Sequence, residues 1–270
     1  FRSEKLPVPV PQISEQQAIA AALTDVNALI ASLDNLIDKK RAMRLAAAQH
    51  LLTGRIRLPG FAPSDSRSAQ TPIGSVPADW KLATLGQIGE CLIGLTFSPD
   101  AVADDGLFVL RASNIGDAGL QFEDKLCVNM VVPEKLLLQS GDLLICVRNG
   151  SRRLIGKCAL IDDRAAGMTF GAYMSVFRSP RNRFIFHYFQ SGMVKRQIHE
   201  HLGATINQIT NKSLTSFQIA LPPEEEQDAI AIVLSDMDAE IAALEQRRDK
   251  TKLIKQGMMQ VLLTGKVRLV

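Results

Sequence analysis

At 270 residues, with 46% hydrophobic and 22% charged positions, the chain is long enough for two packed units and too apolar to stay disordered. Its apolar runs are short and interrupted by charge, and Phe1 to Lys5 has neither the charged start nor the apolar core of a signal peptide, which argues against exported or membrane-spanning forms and for the cytoplasm. The net charge of +3 hides an uneven distribution: Trp80 to Ser140 carries four basic and eight acidic residues, Gly141 to Ala220 eleven basic and four acidic, so the latter is a candidate polyanion face. Cys91, Cys127, Cys146 and Cys158 occur singly in apolar stretches, without a C-x-x-C pair, and read as small core residues rather than zinc or disulfide positions. The absent initiator methionine suggests that Phe1 lies inside a longer reading frame or follows a removed tag.

Residues 1–13 are proline-rich, through Leu6-Pro7-Val8-Pro9-Val10-Pro11. Near their end begins a segment that occurs twice. Pro11 to Leu58 aligns without a gap on Pro222 to Leu269, with about twenty of the 48 positions identical, including Glu15-Gln16 with Glu226-Gln227, Ala18-Ile19-Ala20 with Ala229-Ile230-Ala231, and Leu51-Leu52-Thr53-Gly54 with Leu262-Leu263-Thr264-Gly265. Two copies are too few for a solenoid, so the pair must flank something or pack on each other.

Each copy reads as one long helix, within 14–54 and 222–270. In the first, Ile19, Leu23, Val26, Ile30, Leu33 and Ile37 recur at alternating spacings of four and three; in the second, Ile230, Leu234, Met237, Ile241 and Leu244 do the same. That spacing is a coiled-coil seam and requires a partner. Prolines 11, 222 and 223 bar an earlier start, Ser14 is a candidate N-cap, acidic Glu15 and Glu224 to Glu226 suit the positive end of the dipole, and Gly54 and Gly265 end the helices. From Ser14 to Thr53 the rise is roughly 60 Å at about 1.5 Å per residue.

Residues 55–79, polar and interrupted by Pro59, Pro63, Pro72 and Pro77, read as a linker. A different texture fills 80–221: short β-branched and apolar runs at Phe108 to Arg111, Cys127 to Val132, Asp142 to Val147, Leu154 to Ile161, Tyr173 to Phe177 and Phe217 to Leu221, with one helix expected over Arg183 to Glu200. The expected class is α+β, a β-rich domain flanked by two long antiparallel coiled-coil helices.

The order of these features is similar to that in the specificity subunits of type I restriction-modification systems. The resemblance rests on the repeated helix, an insert opening with Trp80 and Leu85-Gly86, Ser140-Gly141-Asp142-Leu143-Leu144-Ile145, the closing Gly203-Ala204-Thr205-Ile206-Asn207-Gln208-Ile209, and Leu221-Pro222-Pro223-Glu224-Glu225-Glu226-Gln227. In that family two target recognition domains alternate with two helical regions, and each domain reads one half of a bipartite DNA site. This chain departs from that pattern with one recognition domain, and residues 1–13 resemble the end of an upstream one, so it looks like a half subunit, truncated or natural. The resemblance implies double-stranded DNA, methyltransferase subunits and restriction subunits as partners, a homodimer through the helices, and S-adenosylmethionine, ATP and Mg on the partner subunits rather than on this chain.

The residues agree with a non-catalytic role. There is no G-x-x-x-x-G-K-[ST] or G-x-G-x-x-G loop and no Asn-Pro-Pro-Tyr or Asp-Pro-Pro-Tyr run, and His199-Glu200-His201 lacks the i, i+4 spacing of helix-borne metal ligands. Arg bridges guanine O6 and N7, and Asn or Gln bridges adenine N6 and N7, so these types in loops are the candidate base readers. They occur at Arg148, Asn149, Ser151, Arg152 and Arg153, at Asn207, Gln208, Asn211 and Lys212, and at Arg111 and Asn114. Lys195 and Arg196 suit phosphate or plain solvent exposure. Trp80 and Tyr173 are expected to pack rather than stack on bases. The competing reading is a scaffold that joins partners through the coiled coil, with a protein-binding insert; a self-contained nuclease is a distant third.

Overall fold

The computed structural model describes residues 10–61, 67–116, 119–202 and 207–269. The first nine residues, part of the expected linker, and 203–206 of the closing motif lie outside them. In chain order the elements are α1 (Ile13–Leu51), β1 (Ser68–Thr71), β2 (Gly74–Pro77), β3 (Lys81–Thr84), α2 (Leu85–Ile88), β4 (Glu90–Ile93), β5 (Val102–Ala103) and β6 (Leu107–Leu110). Then come β7 (Cys127–Val128), β8 (Leu143–Cys146), β9 (Cys158–Leu160), β10 (Thr169–Phe170) and β11 (Met174–Arg178). The last are α3 (Asn182–Phe189), α4 (Gly192–His201), α5 (Asn211–Ser216), β12 (Gln218–Leu221) and α6 (Glu224–Leu262). They form two compact units, one built from the chain up to Leu45 and from Ser235 onward, the other from Ala46–Leu234.

The first unit is a pair of antiparallel helices. Ion pairs run Arg248 to Asp34 at 3.6 Å, Lys40 to Glu240 at 2.6 Å, Arg41 to Glu245 at 2.5 Å and Arg44 to Asp238 at 2.8 Å, so rising numbers on α1 meet falling numbers on α6. Each such half-exposed pair contributes only about 0.2–1 kcal/mol, and burial of the apolar stripe contributes more. Ile19, Leu33, Ile37 and Ile241 are buried, and Leu23, Val26, Ile30, Met237 and Leu244 are half-buried. Ile230 and Leu234, expected on the same seam, are fully buried in the larger unit, which also takes in the end of α1 from Ala46 with its buried Ala48 and Leu51. By length and composition α1 passes for a membrane-spanning helix, with an 18-residue window of mean hydropathy 1.2, a signal that its interrupted runs conceal. The helix also starts at Ile13, one residue before Ser14, with Gln16 N donating to Gln12 O at 3.0 Å, so Ser14 lies inside the first turn rather than capping it.

Both helices end at a glycine with positive φ, Gly54 at 66° and Gly265 at 71°. A Cβ on Gly54 would fall 2.3 Å from Pro77, so both the conformation and the space demand glycine. Beyond each turn an arginine reaches back to the other helix's first-turn glutamate. Arg57 donates to both oxygens of Glu226 at 2.5 and 2.6 Å and to Asp79 at 3.1 and 3.0 Å, and its guanidinium lies 5.5 Å from the centre of the Trp80 ring. Glu226 is fully buried. Burial opposes the charge on Arg57, but the two carboxylates outweigh it and hold its pKa above the ordinary value. Arg268 grips Glu15 in the same way, at 2.7 and 2.9 Å. These are the same two repeat positions, 15 with 226 and 57 with 268, exchanged between copies.

The larger unit holds two four-stranded sheets, in orders β4-β11-β8-β9 and β10-β6-β7-β5, the first antiparallel throughout and the second containing the parallel pair β10 and β6. Their apolar faces share one core, including Val109, Leu110, Leu144, Phe170 and Val176. The stretch 55–79, read as linker, carries the hairpin β1–β2, whose Val76 packs with Trp80 and Ala220. Its exposed Ser-Ala-Gln-Thr strand has no hydrophobic alternation to betray it. The helix expected over Arg183 to Glu200 is two: Gln190 and Ser191 interrupt it, and Gly192, a poor helix-interior residue, opens α4. All four cysteines are free; burial raises Cys91 to about 12, Cys146 to about 11 and Cys158 to about 12.

Glu226 is 0% exposed beneath an arginine side chain that is itself buried, whereas Glu15, 6% exposed, is covered by an Arg268 side chain that is 59% exposed, so that removing Arg268 opens Glu15 to water. Arg57→Ala should lower stability by roughly 3 kcal/mol in urea unfolding, with a much smaller loss for Arg268→Ala. Equal losses would show that burial does not separate the two clasps.

Candidate nucleic-acid interface

Four turns at one edge of the sheets converge: those following β4, β6 and β8, and the one between β10 and β11. Between them lies a recess of about 530 Å³, lined among others by Phe97, Arg111, Arg148 and Tyr173. Where β8 runs out, the backbone keeps pairing. Val147 N and Arg148 N both donate to Tyr173 O at 3.1 Å, Ile209 N donates to Val147 O at 2.8 Å, Arg148 forms an antiparallel bridge with Gln208, and Asn149 N donates to Asn207 O at 3.3 Å. The two candidate segments, 148–153 and 207–212, are thereby zipped side by side, although nearly sixty residues separate them in sequence.

Within that ladder the side chains divide by role. Arg148 is exposed, and its guanidinium carbon lies 4.8 Å from the centre of the Tyr173 ring, a cation–π contact that holds the group without neutralising it. Gln208 and Lys212 are exposed. Asn149 Oδ1 accepts from Ser151 N at 2.9 Å and Asn207 Nδ2 donates to Gly150 O at 3.1 Å, so both shape the loop. Asn211 Nδ2 donates to Cys91 O and its Oδ1 accepts from Ser175 Oγ, which ties α5 to the sheet. Arg152 and Arg153 are exposed in a short 3₁₀ turn, and Arg153 turns toward a different recess, of about 470 Å³, shared with Lys157, Arg164 and Lys195.

The third segment holds a correction. Asn114, expected at the interface, is fully buried: its Oδ1 accepts from Arg111 N at 2.8 Å and its Nδ2 donates to Gln121 O and Asp124 O, both at 3.1 Å. It satisfies backbone groups of its own loop and has nothing left for a base. Arg111 stays half-exposed but is paired with Asp124 at 2.7 Å. Tyr173 departs in the opposite direction. Expected to pack, it is 56% exposed, whereas Trp80 is buried as expected. Among the described residues, at least three of the basic residues in 141–220 are engaged in ion pairs, Arg164 with Asp162, Arg178 with Asp142 and Arg181 with Glu224, so the basic surface is smaller than its count. His199 and His201 each bond a backbone carbonyl one turn earlier, through Nδ1.

A β-rich unit presenting arginine-bearing loops, joined in sequence to two long paired helices, defines a class of modular recognition proteins. Residues 77–253 match the family described as Type I restriction modification DNA specificity domain, and the chain belongs to that family. It is 26% identical over 280 residues to the type I restriction enzyme MjaVIII specificity subunit of Methanocaldococcus jannaschii, covering 98% of this chain and 63% of that one. With the EcoKI specificity subunit of Escherichia coli it shares 27% over 203 residues, 72% of this chain and 44% of the relative. The fold resembles that of the HsdS subunit from Thermoanaerobacter tengcongensis, with TM-score 0.53 and 19% identity over 96% of this chain and 61% of that one. A type I S subunit from M. genitalium gives TM-score 0.59 and 13% identity over 93% and 61%. The chain thus spans about three fifths or less of the length of these relatives.

Truncating Asn114 leaves three backbone groups without partners. Asn114→Ala should cost about 1–3 kcal/mol or more in denaturant unfolding, while Gln208→Ala should leave stability within about 0.5 kcal/mol. A stable Asn114→Ala protein would contradict the structural role assigned to it.

Proposed function

We propose that this chain is a non-catalytic DNA-reading component of a type I restriction-modification enzyme, working in the cytoplasm. Residues 80–221 read one half-site of double-stranded DNA. The observation that carries this reading is Arg148: exposed, held over the ring of Tyr173, and set beside Gln208 on a paired backbone, it offers the planar fork that bridges guanine O6 and N7 next to an amide suited to adenine. Lys212, Arg152 and Arg153 supply charge for phosphates, which sets register rather than sequence.

The paired helices serve as spacer and as dock. Their length, roughly 60 Å at about 1.5 Å per residue, sets the distance over which half-sites are held. Leu29, Leu36 and Met43 recur every seven residues on α1 and are 41%, 39% and 48% exposed, and Leu253 and Ile254 of α6 are exposed as well. That second apolar stripe suits helices of methyltransferase subunits, to which the restriction subunits add. S-adenosylmethionine, ATP and Mg belong to those subunits. A second copy of this chain, meeting the first through the helices, would supply the other half-site as an inverted repeat.

Selection of the full chain against random duplexes tests the reading. One short motif should emerge, with affinity falling steeply between low and moderate salt. Arg148→Ala should cost about 1–3 kcal/mol and relax preference at one position, and Lys212→Ala should weaken all sequences alike and lower the salt slope by about 1. No motif and no salt dependence would make the β-rich unit a protein-binding insert on a scaffold.

A further inference from the structure

The recess beside Arg148 is larger and more apolar than groove reading requires. Reading a base edge in the major groove needs side chains that project outward. The four turns here border instead an open hollow of about 530 Å³, within the size range of small-ligand pockets and with room for well over a dozen waters at roughly 30 Å³ each. Its walls are Leu95, Phe97, Met174 and the ring of Tyr173, with the exposed Thr96 at hand for hydrogen bonding. A thymine methyl would fill only a corner of it. The charge at its mouth is also selective, because Arg111 is neutralised by Asp124 while Arg148 is held by a ring rather than a carboxylate.

An aromatic wall, an apolar interior, a few polar atoms and a cation at the mouth are the features that hold a base taken out of its stack, the cation meeting the adjoining phosphate. We propose that this recess receives a single nucleobase extruded from the bound duplex, stacked against Tyr173 and edged by Thr96, and that the half-site is selected partly by how readily that base leaves its pair. This rests on the DNA-reading role proposed above and adds to it a site on this chain that is separate from edge contacts in the groove.

The cost of extrusion falls when the base has no partner, and this gives a direct signature. With the selected duplex and the full chain, each half-site position in turn is left unpaired by an abasic residue on the opposite strand, and affinity is measured by anisotropy. At one position binding should tighten by about tenfold or more, which is 1.4 kcal/mol. Ala172→Trp, which fills the recess, should erase that gain, and Tyr173→Ala should reduce it. If no position tightens, the proposal fails, and the scan on the unaltered chain decides this even if a variant misfolds. A gain that survives Ala172→Trp, or an Ala172→Trp chain that keeps the DNA behaviour and loses methyltransferase binding, overturns it too. Failure to select any motif would instead remove the DNA-reading role itself.

Discussion

A glutamate in the first turn of each long helix, gripped by the arginine that follows the other helix, is the constraint on which the rest of the architecture depends. Apolar seams are permissive: a stripe with a repeat near 3.5 residues packs almost as well after sliding by a heptad. The clasp is not permissive. In the Arg57–Glu226 pair, sliding would leave a fully buried carboxylate without its cation, a cost no alternative register recovers. A buried ion pair of this kind specifies one arrangement more than it adds stability. Arg268 and Glu15 repeat the pattern with the arginine exposed, which follows from the duplication that produced both copies.

Asp79 and Trp80 link this constraint to the β-rich unit. They complete the shell around Arg57, and Trp80 also joins the small core with Val76 and Ala220. β12, which ends directly before α6, pairs with β3, which starts directly after Trp80. Entry into the β-rich fold and exit from it are thus neighbouring strands. Within the insert, the sheets fix the turns and the turns carry the variable chemistry, the usual division between scaffold and binding loop.

Much of this was legible in the residues. The repeat announced itself by identity, and the seam positions from Ile19 to Leu33 and from Met237 to Leu244 by spacing, because long helices impose a period that composition cannot hide. What escaped was set by tertiary context. Asn114 looked like a base reader because its type suits both adenine and a loop's own carbonyls, and only its burial decides between them. Tyr173 looked like core because a lone aromatic at a strand start usually is. The zipper that brings Asn207 and Gln208 to Arg148 and Asn149 depends on a long-range pairing that no local pattern encodes.

The antiparallel, intrachain pairing of the duplicated helices is the central claim, and one distance tests it. Spin labels on Gln17→Cys and Lys266→Cys, both exposed, are placed in a chain whose native Cys91, Cys127, Cys146 and Cys158 are replaced by alanine. Measured by pulsed electron resonance in protein diluted with unlabelled chain, their separation should be less than half the roughly 60 Å that a 39-residue helix spans. A separation near the full helix length, or a short distance that vanishes on dilution, would contradict it.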